Sequence, residues 1–413
     1  MNSVRRITDR VAGAGDDVSL DWLNSPETDL IFDALQGDAD EPQIMFVGGC
    51  VRNALLGVPV VDVDLATTHH PEDVAERLRA AQIKVVPTGI DHGTVTAVVN
   101  GKSFEITTLR RDVETNGRHA VVAFTDDWAE DAARRDFTIN TLLMDEWGNV
   151  YDPLRSGIID LEARRVVFVG DPATRIAEDY LRILRFFRFH AQYGAGAPDP
   201  SALAACRNAA PQIKTLSRER ITQEFLKIIG AENAADTFRI MYDNEIMADL
   251  ANPEFDDNAL RALIGLQNRS QTRSVAARLY CICGGREEKI EIADEYLLLS
   301  KMLRRNFESL FEAVQAPMNI RERLYHYGRE VGGQSILLLA AMRGAKISDD
   351  DLALIREWDI PKFPLAGSDL QKLGVEPGPH MGEILDQVET WWIEWEFRPD
   401  HGACVDRAKE MIK

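Results

Sequence analysis

The chain has 413 residues, of which 45% are hydrophobic and 28% charged, and this length and composition are typical of a globular protein with several domains. It contains no apolar run of the roughly 18 to 20 residues that a membrane helix needs, and its first residues lack the apolar core of a signal peptide. Five scattered cysteines indicate reduced thiols, so we expect a cytoplasmic protein without a membrane partner. The formal net charge of −20 excludes a uniformly basic nucleic-acid binder, and an RNA partner would require a local concentration of positive charge.

The first part of the chain alternates short strands with helices. Strands are predicted at residues 44–48, 60–65, 94–99 and 103–109, which are rich in β-branched residues and bounded by turn formers. Helices are predicted at residues 51–57 and 71–82. From about residue 171 onward, long amphipathic patterns replace the strands. The sequence therefore predicts an α+β fold in which a small sheet-containing head precedes an all-helical body.

Two aspartates are the first candidate site residues. In a strand over residues 60–65, Asp62 and Asp64 would point to the same face, because side chains alternate along a strand. Neighbouring carboxylates repel each other, and a divalent cation such as Mg²⁺ relieves that repulsion. An isolated pair of this kind is, however, more often a solvated turn.

Residues around the pair favour a site. Gly48 and Gly49 lie between a strand and a helix, where backbone N–H groups and Arg52 can approach a phosphate. Glu105, in a later strand, could supply a third carboxylate. Together these residues indicate metal-assisted phosphoryl transfer, in which one ion activates the attacking oxygen and a second neutralises the leaving group.

Residues 46–67 resemble the signature of the DNA polymerase beta-like nucleotidyltransferases. More narrowly, VGGCVR and DVDLAT resemble the class II tRNA nucleotidyltransferases (CCA-adding enzymes) and the related bacterial poly(A) polymerases. Asn53 departs from that pattern, since the family usually has aspartate there, and a charged role at this position is in doubt. The resemblance implies a polymerase-beta-like head that uses Asp62 and Asp64 as metal ligands in a two-ion mechanism.

A second motif is RRDFTIN, residues 134–140, which is similar to the family's nucleotide-binding motif. Arg134 and Arg135 offer forked donors to a triphosphate, and Asp136 and Asn140 can bond a ribose hydroxyl. The alternative is a surface helix that Asp136 caps.

The stretch between the motifs, residues 110–131, resembles the family's mobile loop, although Ala120 replaces the usual proline. Asp112 and Arg118 are possible participants from this loop.

The third motif is EDYLRILRFFRF, residues 178–189. On one helix, Asp179, Arg182 and Arg185 form a polar row that Arg188 extends, and the plain interpretation is a salt-bridged amphipathic helix. The resemblance implies that Asp179 and Arg182 act as an amino-acid template for the incoming base, and Arg185 and Arg188 are candidates for phosphate contacts.

The template has a simple physical basis. Cytosine and adenine both present an amino donor beside an unprotonated ring nitrogen, whereas uracil and guanine present a carbonyl beside a ring N–H. Asp179 can only accept from the amino group, and Arg182 can only donate to the ring nitrogen. With U or G both contacts would be reversed, at a cost of about 1–3 kcal/mol per unpaired group. The pair therefore predicts selection of CTP and ATP.

Residues 175–220 carry the local positive charge that an RNA partner requires. This segment contains eight lysines and arginines and four acidic residues, a net charge of +4. The resemblance extends to residues 216–229 and 363–392. It implies an N-terminal extension (1–25), a catalytic head (26–155), a helical neck that selects the base and binds RNA (156–230), and a helical body and tail that bind tRNA (231–413).

The resemblance implies an enzyme that adds CMP, CMP and AMP, from CTP and ATP, to the 3′ end of tRNA without a template. We favour this reaction over poly(A) addition, because the chain ends without a basic extension and residues 88–98 resemble the CCA-adding subgroup. Enzymes that add only CC or only A remain open. A hypothesis from another class is an inactive RNA-binding scaffold with the same fold.

Overall fold

The computed structural model describes residues 4–11, 19–86, 89–90, 93–116, 119–247, 256–286 and 289–412. The chain divides into two compact units, one of Met1–Asn233 with Ile240–Met247 and the other of Ala234–Arg239 with Ala248–Lys413. The first unit contains the expected head and neck together. The finer division into extension, head, neck, and body and tail stays a prediction.

The first unit is built on an eight-stranded sheet. Its strands are β1 (Arg5–Arg6), β2 (Ile44–Val47), β3 (Asp64–Thr67), β4 (Lys84–Val86), β5 (Thr94–Val99), β6 (Lys102–Thr108), β9 (Leu143–Met144) and β10 (Asn149–Tyr151). Their order across the sheet is β1-β10-β9-β2-β3-β6-β5-β4. β3 and β6 run parallel, and all the other adjacent strands of this sheet are antiparallel. Four of these strands lie at or close to the predicted positions, and the N-terminal segment joins the sheet as its edge strand β1.

The strand predicted over residues 60–65 begins late, at Asp64. The last pair that β2 forms with β3 joins Phe46 to Leu65, and from Gly48 onward the chain turns into a helix. On the other side, β6 pairs with β3 from Asp64 onward. No strand of the described sheet is therefore placed to pair with residues 60–63, and the prediction that Asp62 lies in the strand was wrong.

Helices cover the sheet and continue the first unit. They are α1 (Pro26–Gln36), α2 (Gly49–Leu56), α3 (Pro71–Ala80), α4 (Trp128–Ala133), α5 (Gly157–Glu162), α6 (Pro172–Glu178), α7 (Leu181–Tyr193), α8 (Pro200–Ala209) and α9 (Arg218–Ile229). α1 begins at Pro26, where Ser25 caps it by accepting a hydrogen bond from the Thr28 N–H at 3.2 Å. One side of the sheet buries a cluster that includes Met45, Leu143 and Trp128 of α4. This packing fixes β2, β9 and α4 around the site described below.

Residues 110–131, predicted to be a loop, contain a second, two-stranded sheet. β7 (Arg110–Asn116) and β8 (His119–Phe124) pair in antiparallel register, with an irregularity between Asp112 and Glu114. Each of the two segments contains two β-branched residues, Val113 and Thr115 in β7 and Val121 and Val122 in β8, which favours strands over a loop.

Residues 178–189, predicted to form a single helix, are divided between two helices. α6 ends at Glu178, and Asp179 takes an extended backbone conformation with φ −157° and ψ 107°. Its Oδ1 accepts a hydrogen bond from the Leu181 N–H at 3.1 Å, and α7 begins at that residue. A short polar side chain that bonds its neighbouring backbone in this way competes with helix formation. Asp179, Arg182 and Arg185 therefore do not form one row on one helix.

All regular elements of the second unit are helices within the described ranges. They are α10 (Ala234–Asp243, shared with the first unit), α11 (Asp257–Arg269), α12 (Val275–Ile282), α13 (Lys289–Tyr296), α14 (Lys301–Gln315), α15 (Ile320–Tyr327), α16 (Gly333–Arg343), α17 (Asp349–Glu357), α18 (Gly367–Lys372), α19 (Pro379–Glu394) and α20 (His401–Ile412). The last three helices enclose a small core in which Trp392 is fully buried and its Nε1 donates to the Pro399 carbonyl at 2.9 Å. In the described parts of the chain, no helix has both the length and the apolar character to cross a membrane. All five cysteines are free and buried, as the prediction of reduced thiols requires.

Candidate active site

A cavity of about 630 Å³ in the first unit brings most of the predicted site residues together. Its lining contains Gly48, Gly49, Arg52, Asp64, Glu105, Arg134, Arg135, Asp136, Asn140, Asp179, Arg182 and Arg185, with Arg110, Phe189 and Arg220 among the others. Seven arginines and four carboxylates therefore share one cavity in a chain whose net charge is −20. Such a concentration of positive charge suits an anionic ligand.

Gly48 forms the turn from β2 into α2. Its φ of +68° lies in the left-handed region, and a Cβ atom built there would meet Arg135 Nη1 at 3.0 Å. The positive φ favours glycine at this position, and a Cβ atom would in addition crowd the Arg135 guanidinium. The Gly48 N–H donates to the Leu142 carbonyl at 3.2 Å and is already engaged, whereas Gly49 begins α2, where an N–H has no acceptor within the helix. Of the two predicted phosphate-binding glycines, Gly49 thus has the more suitable position.

The carboxylates lie at the edge of the cavity where β3 and β6 pair. Asp64 and Glu105 are register partners in adjacent parallel strands, and both line the cavity. Asp62 is exposed, precedes the strand and is absent from the lining. Burial, followed by the negative charges of Glu105 and Asp62, raises the pKa of Asp64. Glu105 and Asp62 are thus each close enough to repel the Asp64 carboxylate.

This donor set fits a divalent cation, which would relieve the repulsion at Asp64 through oxygen ligands. Among the described residues, the structure contains no group of three or more His, Cys, Asp or Glu side chains placed to hold a metal ion by itself. Asp62, Asp64 and Glu105 are therefore not a preformed three-carboxylate site, because Asp62 lies outside the strand. Magnesium sites of this kind commonly combine one or two carboxylates with substrate phosphates.

Arg134 and Arg135 follow α4 and are both held by Asp131. The Asp131 carboxylate accepts from Arg134 Nε at 2.8 Å and from Arg135 Nη2 at 3.0 Å, and only 3% of its side chain is exposed. Burial opposes its ionisation, but the charges of Arg135 and Arg134 outweigh burial and lower the pKa of Asp131. Both guanidinium groups are thereby fixed at the cavity wall.

A chain of hydrogen bonds connects Arg52 of α2 to Arg185 of α7. Asp136 accepts from Arg185 Nε at 2.7 Å and from Asn140 Nδ2 at 2.9 Å, and Asn140 Oδ1 accepts from Arg52. Burial opposes ionisation of Asp136, but the charge of Arg185 outweighs it and the pKa of Asp136 is lowered. Asp136 does not cap a surface helix, and in this structure it anchors a guanidinium. Its predicted contact with a ribose hydroxyl stays a prediction.

Asn53 supports the same chain. Its Oδ1 accepts from Arg52 Nη2 at 2.8 Å and from Nε at 3.1 Å, and its Nδ2 donates to the Pro59 carbonyl at 3.2 Å. Arg52 also donates to the Tyr193 hydroxyl at 2.9 Å and lies over the Tyr193 ring, with its Cζ 4.2 Å from the ring centroid. Asn53 thus orients an arginine of the cavity without adding charge.

The proposed base-reading pair is held from two sides. Asp179 Oδ2 accepts from Arg220 Nη2 at 2.6 Å, and Arg182 Nη1 pairs with Glu178 and donates to the Arg175 carbonyl at 2.8 Å. Glu178 also binds Arg175, at 2.6 Å. Asp179 and Arg182 nevertheless both line the cavity.

Comparison with known proteins identifies the family. Family models described as "Poly A polymerase head domain" and "Probable RNA and SrmB- binding site of polymerase A" match residues 44–167 and 197–258. The chain is 34% identical over 394 residues to CCA tRNA nucleotidyltransferase 1, mitochondrial, of Danio rerio, and the match covers 91% of this chain and 90% of that protein. It is 30% identical over 383 residues to the CCA-adding enzyme of Streptococcus suis (strain 05ZYH33), a match that covers 89% of this chain and 93% of the enzyme.

The chain belongs to the CCA-adding tRNA nucleotidyltransferase family. It also resembles the crystal structure of the Bacillus stearothermophilus CCA-adding enzyme in complex with CTP, with a TM-score of 0.73 and 27% identity. That match covers 94% of this chain and 97% of the other. The predicted fold class and the predicted enzyme class are therefore confirmed. Membership in this nucleotidyltransferase family implies a reaction that depends on a divalent metal ion.

Of the remaining predicted site residues of this family member, the structure places one outside the cavity lining and does not describe the side chains of two. Arg188 is absent from the cavity lining, since its Nε pairs with Glu224 at 2.7 Å and only 13% of its side chain is exposed. The backbone of Asp112 lies in β7, but the position of its side chain is not described, and Arg118 lies outside the described residues.

Sequence reasoning missed several residues that hold the nucleotidyltransferase site. Asp131 precedes its two arginines by three and four residues, and Glu178 has the same spacing around Arg175 and Arg182, so helical spacing could have revealed both. The pairing of Arg220 with Asp179 spans 41 residues, and no local pattern predicts it.

Proposed function

We propose that this chain adds CMP, CMP and AMP to the 3′ end of tRNA, using CTP and ATP. The observation that carries the proposal is the shared cavity, in which the Asp64 and Glu105 carboxylates lie together with a set of arginines and with Asp179 and Arg182. Side chains whose chemistry suits a metal ion, phosphates and a base thus line one cavity, which supports the proposal. The relatives' printed names, including CCA tRNA nucleotidyltransferase, support the same reaction.

In this reaction the 3′-oxygen of the RNA forms a bond to the α-phosphorus of the nucleotide, and the bond between that phosphorus and the bridging oxygen breaks. Pyrophosphate leaves with the electron pair. Asp62 and Asp64, with Glu105 beside them, would hold Mg²⁺, which when bound in two-ion form activates the attacking oxygen and neutralises the leaving group.

The arginines of the cavity position the triphosphate. Arg134 and Arg135 are fixed by Asp131, and Arg185 is fixed by Asp136, so their guanidinium groups need little reordering when an anion binds. Preorganised donors of this kind stabilise developing phosphate charge better than mobile ones do.

Asp179 and Arg182 read the base in this proposal. An acceptor and a donor that line one cavity complement the amino group and ring nitrogen that cytosine and adenine share. The net +4 of residues 175–220 and the cavity arginines supply the charge that an RNA 3′ end requires.

Poly(A) addition is a second candidate, because both matching family models take their descriptions from poly(A) polymerase. We favour CCA addition, because the full-length relatives at 30% identity or more carry CCA-adding names. We also propose a cytoplasmic location. That proposal rests on the sequence alone, and the Danio rerio relative carries a mitochondrial name.

Transfer activity of an Asp64 variant tests the metal-binding part of the proposal. Purified protein is incubated with tRNA lacking its 3′ CCA, Mg²⁺ and labelled CTP or ATP. Asp64→Ala should reduce incorporation below detection, because it removes the half-buried carboxylate of the β3–β6 edge, while tRNA affinity should stay within about twofold since the cavity arginines remain.

The matched control is Asp73→Ala, which removes an exposed aspartate from α3, outside the cavity lining. It should leave incorporation unchanged. Normal incorporation by Asp64→Ala would refute the role assigned to Asp64, and bound tRNA without incorporation by the unmodified protein would favour the scaffold hypothesis.

A further inference from the structure

Arg220 contacts the proposed base-reading aspartate directly. Its Nη2 donates to Asp179 Oδ2 at 2.6 Å, and Arg220 itself lines the cavity. The two side chains are 29% and 31% exposed, so the pair borders the cavity and is not sealed in the core. Arg220 is not among the residues that the sequence motifs predict for the site.

Asp179 depends on side-chain contacts for its orientation. Its backbone is extended between α6 and α7, so no regular helix fixes the direction of the side chain. Two donors do so instead: the Leu181 N–H binds Oδ1 at 3.1 Å, and Arg220 binds Oδ2. A carboxylate offers about four lone-pair positions, which leaves room for a further donor from a base.

A second ion pair also begins on α9 but has a different role, since it ends on α7 and not at the junction between α6 and α7. One turn along α9 from Arg220, Glu224 pairs with Arg188 of α7 at 2.7 Å. These side chains are only 7% and 13% exposed and do not line the cavity. The Arg188–Glu224 pair therefore holds α7 against α9 without Arg220, and Arg220 is available for Asp179.

We propose that Arg220 is a positioning residue for nucleotide selection: it holds the Asp179 carboxylate in the orientation that accepts the amino group of cytosine or adenine. The inference rests on the proposed base-reading role of Asp179. Without Arg220, the carboxylate keeps only its backbone contact and can turn toward Arg182 or Arg185, the other arginines beside it in the cavity lining. Selection against U and G would then weaken even though Asp179 is still present.

The test measures kcat/KM for each of the four nucleoside triphosphates on tRNA lacking its 3′ CCA. Arg220→Ala should lower the ratio of kcat/KM for CTP to that for UTP about tenfold or more, because a misplaced acceptor no longer discriminates. Arg220→Lys should give an intermediate ratio, because a lysine keeps a charged donor but lacks the forked geometry.

Two controls separate positioning from stability. Glu224→Gln weakens the Arg188–Glu224 ion pair between α7 and α9 and should lower Tm while leaving the CTP to UTP ratio unchanged. Arg79→Ala removes an exposed arginine of α3, outside both the cavity lining and residues 175–220, and should change neither quantity.

Asp179→Ala is measured in parallel. If it alters the ratio and Arg220→Ala does not, the inference about Arg220 is overturned while the base-reading proposal stands. If Asp179→Ala also leaves the ratio unchanged, the base-reading proposal itself fails. A lower KM for CTP in Arg220→Ala would also overturn the inference, because it would show that Arg220 competes with the base for the Asp179 carboxylate.

Discussion

At the scale of single residues, Asn53 shows how a departure from the family pattern is accommodated. The family usually has aspartate at this position, yet the asparagine carbonyl accepts both hydrogen bonds from Arg52, and its amide adds a bond to the Pro59 carbonyl. Arg52 is 6% exposed, and its hydrogen-bond acceptors in the structure are neutral. They belong to Asn53, Asn140 and Tyr193. The residue needed beside Arg52 is therefore an acceptor, with or without charge.

Substitutions at Asn53 separate these two requirements. Asn53→Asp keeps the acceptor and loses only the bond to Pro59, so we expect a free energy of unfolding within about 1 kcal/mol of the original. Asn53→Leu leaves a buried guanidinium short of acceptors and should cost about 1–3 kcal/mol and raise KM for CTP. Urea denaturation and steady-state kinetics check both variants. A severe loss in Asn53→Asp, or none in Asn53→Leu, would contradict this account.

The cavity residues that could be predicted from the sequence are those that occur in short motifs. Asp64 and Arg134 occur in short motifs whose residue types predict metal and phosphate contacts, and the base contact predicted for Asp179 rests on the resemblance of its motif to the family. The partners that hold them come from distant parts of the chain, as Arg52 and Tyr193 do across 141 residues. Only folding brings such pairs together, so sequence reasoning could name the side chains of the cavity but not the contacts that orient them.

At the scale of elements, the errors fall at boundaries. The strand carrying Asp64 is four residues shorter at its start than predicted, because β2 turns away at Gly48 and β6 pairs only from Asp64 onward. The helix at Asp179 is interrupted because an aspartate side chain replaces a backbone hydrogen bond. Both outcomes depend on neighbours or on side-chain geometry that periodicity does not contain.

Helix α8 gives a prediction on pH dependence. Cys206 lies on its buried face with no exposed surface, and burial raises the pKa of the thiol. The thiol of an unfolded cysteine has a pKa of about 8.5, so above that pH the unfolded chain releases a proton that the folded chain keeps. The unfolded state then binds fewer protons, and the free energy of unfolding falls as pH rises.

Between pH 8 and pH 10, the protein should lose about 1–2 kcal/mol more stability than its Cys206→Ala variant. Urea denaturation of both proteins under reducing conditions measures this difference. The other four thiols are common to both proteins, so their titration cancels in the comparison. Equal losses in the two proteins would show that Cys206 ionises as freely in the folded state as in the unfolded state.

At the scale of the whole molecule, an acidic chain concentrates positive charge around one cavity. The chain carries −20, yet seven arginines line one cavity and residues 175–220 carry a net +4. Five of these arginines are held by nearby carboxylates: Asp131 holds two, and Asp136, Asp179 and Glu178 hold one each. The acidic residues thus fix the cations that an RNA end and a triphosphate require, which reconciles an acidic protein with an RNA substrate.

We propose that the protein adds C, C and A in order, and the sequence of the product tests this proposal most directly. The protein is incubated with Mg²⁺, tRNA ending before its CCA and all four nucleoside triphosphates at equal concentration, and the new 3′ ends are sequenced. The account predicts the three nucleotides CCA followed by termination. A long tract of A, or ends that contain U or G as often as C and A, would contradict it.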